Sequence, residues 1–535
     1  MVIHEYYGGL SRRVVGFLDE DPPDGAISSL AGYQVRRLGQ SDLEDSSQLA
    51  GIAAIVFRQQ PRSPYKIKRD LERHAETLLW HDCRVFVQVP QLEPGSGLSS
   101  LRTLVFQAIE ERELPSSGLG QIEEESPLTP KVHVFSFLDT WSEIATYLRQ
   151  YPPGEPPSLA LEIIDGNNDD LAASWSPEKV KLVQRAFHDC IKVTFIENSA
   201  GLSGVHAYKA YAMRKGDYVG KQTPYEYFVK IGDRQKISQE FLAYRDIALE
   251  HIPFHLGPRL RLDRCALGTE LGVIVSDYVS GAENLIDCAR AGRGVPAIAS
   301  LFNTTLRAWR ENSKRSEFRL QDFLEEKMPD EIPEHRRESI EALGDLKEPT
   351  ELESLLTEIP PGLIQVGVVH GDLHAMNVLV RGGDAILIDF EKIEKSAPLL
   401  FDYASVEAGL LVSGFIGDMR TGSKLLKSIE KLYERDALVR YQFSPCHPSD
   451  ASAWFFDCAR QIRMQARQIE HASTHYAYIL AVVLIKKACN IANFSSSAGC
   501  SGQSLDAEQM RALAYVLGER ILLGLSSTGE ESSAK

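Results

Sequence analysis

A chain of 535 residues is too long for one compact core; at roughly 150 residues per domain it predicts three or four structural units. The formal net charge of −16 argues against a nucleic-acid-binding surface, where the phosphate backbone rewards Lys and Arg, and gives no reason to expect adhesion to an anionic membrane. With 43% hydrophobic and 25% charged residues the composition is that of an ordinary soluble globular protein.

The first 150 residues alternate strand-like and helix-like patterns. Strands are predicted at Arg13 to Leu18, Tyr33 to Leu38, Ile52 to Phe57, Arg84 to Val89 and Lys131 to Phe137, with helices at Lys66 to Leu79 and Ser99 to Glu113. Short β-rich runs separated by helices predict a doubly wound α/β domain over 1–150. Tyr151-Pro-Pro-Gly-Glu-Pro-Pro157 cannot continue a helix and reads as a linker. A strand-helix piece follows, Leu159 to Ile164 and Ser176 to Cys190, which makes 151–190 a connector that the sequence assigns to neither neighbour. From Ile191 the chain reads as strands first and helices later. The charged stretch Gln321 to Pro360 reads as an insertion among helices, and Ser526 to Lys535 as a polar, frayed tail.

Three negative readings bound the setting. The eight cysteines contain no CxxC, so neither a zinc ribbon nor a redox pair is signalled, and buried reduced thiols are expected. The amino terminus lacks the basic stretch and apolar run of a signal peptide. The most apolar segment, Tyr478 to Ile485, meets Lys486-Lys487 directly and predicts a buried helix too short to span a bilayer. A cytoplasmic protein is the expectation.

The densest information lies in Val368-Val-His370-Gly371-Asp372-Leu373-His374-Ala375-Met376-Asn377-Val378-Leu379-Val380, followed by Arg381-Gly-Gly-Asp384 and Ala385-Ile-Leu-Ile388-Asp389-Phe390-Glu391. The apolar runs on either side of the Gly-Gly turn predict a hairpin, with Asp389 ending its second strand and returning close to Asn377. Asp372 and Asn377 share one loop. Phosphoryl transfer needs this set: a carboxylate to orient a hydroxyl and take its proton, and oxygen ligands for Mg²⁺ bridging nucleotide phosphates. The Asp-to-Asn interval matches that of the protein-kinase catalytic loop.

His-Gly-Asp-Leu-His-x-x-Asn-Val-Leu with Ile-Asp-Phe-Glu resembles the aminoglycoside phosphotransferase and choline kinase group of the protein-kinase-like superfamily. It departs from ordinary protein kinases, which carry His-Arg-Asp and Asp-Phe-Gly. The resemblance implies a two-lobed α+β fold, with an N-lobe over 191–281 and a helical C-lobe over 282–525. It implies an ATP- and Mg²⁺-dependent transfer to a hydroxyl acceptor, with Asp372 as base and Asn377 and Asp389 on the metal. Upstream, Gly201, Ser203 and Gly204 resemble the Gly-rich turn that cradles phosphates. Lys230, in Tyr227-Phe-Val-Lys-Ile, resembles the phosphate-binding lysine, and Glu240 its helical partner, with Glu250 as an alternative. Asp277, Tyr278 and Val279 resemble the hinge that meets the adenine ring. Asp402 resembles the aspartate that braces the catalytic loop, and His374 either meets substrate or shapes the turn.

The amino-terminal alternation resembles a response-regulator receiver domain, with Asp19-Glu20-Asp21 after the first strand as the acidic cluster. The third strand ends in Phe57-Arg58-Gln59-Gln60, without a phospho-acceptor aspartate, and the fifth in Phe137-Leu-Asp139, without the expected lysine. A non-phosphorylated receiver-like module for protein contacts is therefore expected. Three readings compete: an active kinase, a nucleotide-binding pseudokinase-like regulatory protein, and a scaffold whose working part is the amino-terminal domain. Intact Lys230, Asp372, Asn377 and Asp389 favour the first.

Overall fold

The computed structural model describes residues 14–58 and 83–89 almost throughout, parts of 66–81, strands within 116–136, residues 141–150, and most of 154–526. Gly201, Ser203 and Gly204, the helix expected over 99–113, and residues 527–535 lie outside the described residues. The chain divides into two compact units, Met1–Leu242 with Arg259–Tyr278, and Ala243–Pro258 with Val279–Lys535.

Among the described residues the first unit holds two sheets. One is formed by β1 (Val14–Leu18), β2 (Gln34–Leu38), β3 (Ile52–Arg58), β4 (Arg84–Val89), β5 (Ser116–Gly118) and β6 (Val132–Ser136), in the order β2-β1-β3-β4-β6-β5. Every pair is parallel. The run Ile52–Phe57 is buried throughout, as expected of a central strand covered on both faces. Helix α1 (Asp24–Ser29) and α2 (Trp141–Gln150) pack together beside it. The five strands read from the sequence are all present within a residue or so; β5 was not foreseen, because Ser-Ser-Gly carries no strand signal.

The second sheet comprises β7 (Glu162–Asp165), β8 (Cys190–Glu197), β9 (His206–Arg214), β10 (Tyr225–Asp233), β11 (Ala266–Leu267) and β12 (Leu271–Asp277), in the order β11-β12-β10-β9-β8-β7. All its pairs are antiparallel except β7 with β8. The strand-helix piece of the connector thus supplies an edge strand and helix α3 (Pro177–Ala186) to this sheet. Ser176 caps α3 by accepting from the Lys179 N–H, with Pro177 at the first helical position. Along β10 the buried residues Tyr227, Val229 and Ile231 alternate with Phe228 and Lys230, so the lysine leaves on the face opposite that core. Helix α4 (Arg234–Ala243) follows β10 at once.

The second unit contains two three-stranded sheets: β13 (Glu283–Asn284) with the hairpin strands β16 and β17, and β14 (Lys314–Glu317) with β15 and β18. Helix α5 (Glu334–Glu341) lies within the charged stretch. β15 (Leu363–Val369) leads into the His-Gly-Asp loop, β16 (Val378–Arg381) and β17 (Asp384–Leu387) form the predicted hairpin, and β18 (Glu394–Pro398) returns to β15. Helices α6 (Leu400–Gly414), α7 (Ala453–Ala466), α8 (His475–Cys489) and α9 (Ala507–Ser526) carry most of its core. Inside that core Arg463 and Glu407, both fully buried, pair at 2.5 Å, and the Tyr476 hydroxyl donates to Glu407 at 2.8 Å. Among the described residues no helix is long and apolar enough to cross a membrane.

Candidate active site

In the first unit, β10 and α4 bring Lys230 and Glu240 together. Lys230 Nζ donates to both oxygens of Glu240, at 2.8 and 2.9 Å, and their side chains are only 14% and 12% exposed. Ten residues separate the pair in sequence, which is the strand end plus nearly two turns of helix. Glu250 falls instead in the second unit, with a largely exposed side chain 4.0 Å from His251. At the expected hinge, β12 ends at Asp277. The amide hydrogens of Asp277 and Tyr278 already donate to the carbonyls of Arg259 and Glu226, at 2.9 and 3.3 Å. Neither is directed at a ligand. Asp277 also accepts from Arg261 Nε at 2.7 Å, Tyr278 stacks under Lys209 at 4.1 Å, and Val279 opens the next segment of the second unit.

In the second unit the chain leaves β15 and turns sharply at Gly371, whose φ is +76°. A Cβ there would stand 2.0 Å from the Lys392 carbonyl oxygen, so only glycine fits. Asp402, buried in the first turn of α6, accepts from the N–H groups of His370 at 2.8 Å and Gly371 at 3.2 Å. His370, fully buried, packs on Phe390 and places Nε2 3.0 Å from the Ile388 carbonyl. Helix α6 reaches the other side of the loop at Gly409, where a Cβ would lie 2.9 Å from the Ala375 nitrogen. The loop is thus held from the β17 end and from α6.

The hairpin does what its sequence implied. Gly382 and Gly383 both have positive φ, 63° and 95°, as a two-residue turn between twisted strands requires. The Ile388 N–H bonds to the Asn377 carbonyl at 3.1 Å, which sets Asp389 one residue from that junction. The strand itself stops at Leu387, and Asp389 takes a left-handed backbone, φ 67°, beyond it. The Asn377 amide nitrogen donates to the Asp372 carbonyl at 3.0 Å, committing the NH₂ and leaving the amide oxygen on the other side of the group.

The electrostatics centre on Asp372, whose Oδ1 lies 2.6 Å from Lys487 Nζ near the end of α8. Burial pushes the Asp372 carboxyl up, but the Lys487 ammonium, the largest opposing influence, outweighs it and holds the group far below the usual carboxylate range. Burial, reinforced by Lys487, brings His374 down to about 4, so its imidazole is neutral at physiological pH. His374 Nδ1 accepts from the Met376 N–H at 3.2 Å, which places the proton on Nε2, 4.0 Å from Asp372 Oδ2. Asp402 is pushed up to about 7 by burial, against the pull of its two amide donors.

A divalent cation fits this chemistry. The Asn377 amide oxygen and the Asp389 carboxylate are the oxygen donors here that could serve a divalent cation whose shell phosphates complete. Among the described residues no group of three or more His, Cys, Asp or Glu could hold a metal alone.

The model of the phosphotransferase enzyme family matches residues 218–407, which run from before Lys230 past Asp389 and Asp402. This segment belongs to the phosphotransferase enzyme family. A second model, ternary complex associated domain 9, matches residues 343–479 and so overlaps the phosphotransferase segment. No curated protein sequence matches the chain. Among solved structures, aminoglycoside phosphotransferase APH(4)-Ia with ADP and hygromycin B is 13% identical, covering 62% of this chain and 93% of its own, with a TM-score of 0.34. Amicoumacin kinase hAmiN with AMP-PNP, Ca²⁺ and Ami is 14% identical, covering 67% and 95%, with a TM-score of 0.32. A glucosamine kinase is 12% identical, covering 61% and 92%, with a TM-score of 0.29.

Sequence reasoning about the phosphotransferase segment missed Lys487. It lies 115 residues beyond Asp372, in a helix that the sequence shows only as apolar. The Lys486-Lys487 pair at its end was the one available signal, and it reads equally as a helix terminus meeting water.

Proposed function

We propose that the chain is an ATP- and Mg²⁺-dependent phosphotransferase that moves the γ-phosphoryl group to a hydroxyl. The carrying observation is the juxtaposition of Asp372, Asn377 and Asp389 by one hairpin, with the Ile388 N–H on the Asn377 carbonyl at 3.1 Å. Lys230, held by Glu240, would clamp nucleotide phosphates, and Asp277, Tyr278 and Val279 would border the adenine. Gly201, Ser203 and Gly204 would cradle the phosphates. Asp372 accepts a hydrogen bond from the acceptor hydroxyl and orients its oxygen toward the γ-phosphorus. A new O–P bond forms while the bond from the γ-phosphorus to the bridging oxygen breaks, its electrons staying on ADP, and the hydroxyl proton passes to Asp372. Asn377 and Asp389 would hold Mg²⁺, whose positive charge would offset the charge spread over the phosphate oxygens.

The persistent ionisation of Asp372 suits a loose transition state, in which the base must orient the hydroxyl first and receive the proton late. For the amino-terminal sheet we propose a receiver-like module that makes protein contacts and is not phosphorylated. Its acidic cluster is already engaged by the chain's own cations, Lys66 with Asp19 at 3.5 Å and Arg58 with Glu20 at 3.8 Å, and Arg58 stands at the end of β3. Isothermal titration with MgATP tests the site assignment. Asp389→Asn is expected to lose metal-dependent nucleotide binding, while Asp372→Asn keeps it. Unchanged metal-dependent binding by Asp389→Asn would refute the ligand role.

A further inference from the structure

Lys487 is built into the catalytic loop from a distant helix. Its Nζ lies 2.6 Å from Asp372 Oδ1, and its side chain is 20% exposed, whereas that of Asp372 remains 42% exposed. The carboxylate is therefore held on one oxygen and still reachable on the other, where His374 Nε2 stands back at 4.0 Å. The neighbouring Lys486 goes elsewhere, over the Phe401 ring at 5.6 Å. Only one of the two lysines is directed at Asp372.

The end of α8 that carries Lys487 is anchored by buried charge. Arg336 of α5, fully buried, donates to the Ala488 carbonyl and, at 2.8 Å, to the Asn490 carbonyl. Arg511 of α9 donates to the same Asn490 carbonyl at 2.9 Å. Glu508 holds both guanidinium groups, Arg336 at 2.7 Å and Arg511 at 3.7 Å. Burying arginines is costly unless every partner is in place, and a helix end needs only water or a glycine turn to satisfy its last carbonyls. Fixing this end so heavily fixes the helical turn from which Lys487 reaches the loop.

Resting on the phosphotransferase reading above, we propose that Lys487 is a positioning residue for the base. It grips Asp372 Oδ1 so that Oδ2 faces the acceptor hydroxyl, and it sets a fixed positive charge beside the oxygen that attacks the γ-phosphorus. The charged stretch around α5 then has a mechanical task, since its Arg336 anchors the helix that supplies the lysine. A base displaced by about 1 Å costs on the order of a hundredfold in rate, so loss of the grip should fall on turnover rather than on nucleotide binding.

The test uses the full-length protein, MgATP with water as acceptor, and Lys487→Met, Lys487→Gln and Lys487→Arg. Both neutral variants are expected to bind MgATP in calorimetry within about threefold of wild type, with KM for ATP unchanged and kcat lowered about a hundredfold. Lys487→Arg, able to bridge a carboxylate, should recover at least about tenfold of that loss. Wild-type kcat in a folded neutral variant would overturn the proposal, as would a raised kcat, which would make Lys487 a block on Asp372. Loss of MgATP binding in step with turnover would also overturn it. A wild-type protein that turns over no MgATP would instead refute the phosphotransferase reading itself.

Discussion

Replacing Gly371 by alanine should damage the His370–His374 loop more than the same substitution at a matched glycine damages its turn. Gly371 and Gly382 both have left-handed backbones, with φ of 76° and 63°. An L side chain in that region costs about 1–2 kcal/mol, and this cost is common to both substitutions. At Gly382 nothing lies within 4 Å of an added Cβ, so the strain is the whole effect. At Gly371 the added carbon would meet the Lys392 carbonyl oxygen at 2.0 Å, against the 3.4 Å where ordinary contact begins. The obstacle is backbone and cannot rotate aside. Overpacking of this kind adds about 1–3 kcal/mol, giving about 2–5 kcal/mol for Gly371→Ala. Relief requires the loop to move by more than about 1 Å, which should lower MgATP turnover at least about a hundredfold. Urea unfolding of the full chain, followed with a turnover assay, measures both. Equal destabilisation by Gly371→Ala and Gly382→Ala, or an unimpaired Gly371→Ala enzyme, would refute the argument.

Glu240→Gln removes the charged partner of Lys230 and is expected to weaken MgATP binding about tenfold, measured by calorimetry, with folding stability little changed. Arg463→Leu strands Glu407 in the core and should destabilise the second unit by about 3–5 kcal/mol, while Arg463→Met with Glu407→Leu should recover most of that in urea unfolding. His374 binds its proton less readily when folded, with a value lowered to about 4 from 6.5, so the unfolded chain takes up more protons between those limits. Stability therefore rises with pH through that window and is lost as pH falls from about 6.5 to 4, by up to about 3 kcal/mol. Thermal unfolding of His374→Gln against wild type should show this slope flattened, and an unchanged slope would contradict the assignment.

What the sequence revealed and what it concealed divide along physical lines. Asp372, Asn377 and Asp389 were legible because a hairpin and a short loop tie them together, and local spacing then fixes geometry. Lys230 and Glu240 were legible because a strand end followed directly by a helix has few ways to fold. The parallel strands β1 and β3 showed as near-continuous apolar runs, since both their faces are covered. Lys487 was hidden because its partner is 115 residues away and only tertiary packing brings them together. The anchoring of its helix by Arg336 and Arg511 was hidden for the same reason, as a charged stretch reads as solvated surface until its burial is known. The edge strand β7 could not be assigned because four residues pairing parallel at a sheet margin leave no periodic signature.

The most direct test follows ATP labelled on its γ-phosphoryl group in the presence of Mg²⁺, with wild type and Asp372→Asn side by side. Wild type should release the label to water or to an added hydroxyl acceptor. Asp372→Asn should bind the nucleotide as well and turn it over at least about a hundredfold more slowly. Equal turnover by the two proteins would contradict the assignment of Asp372 as the base.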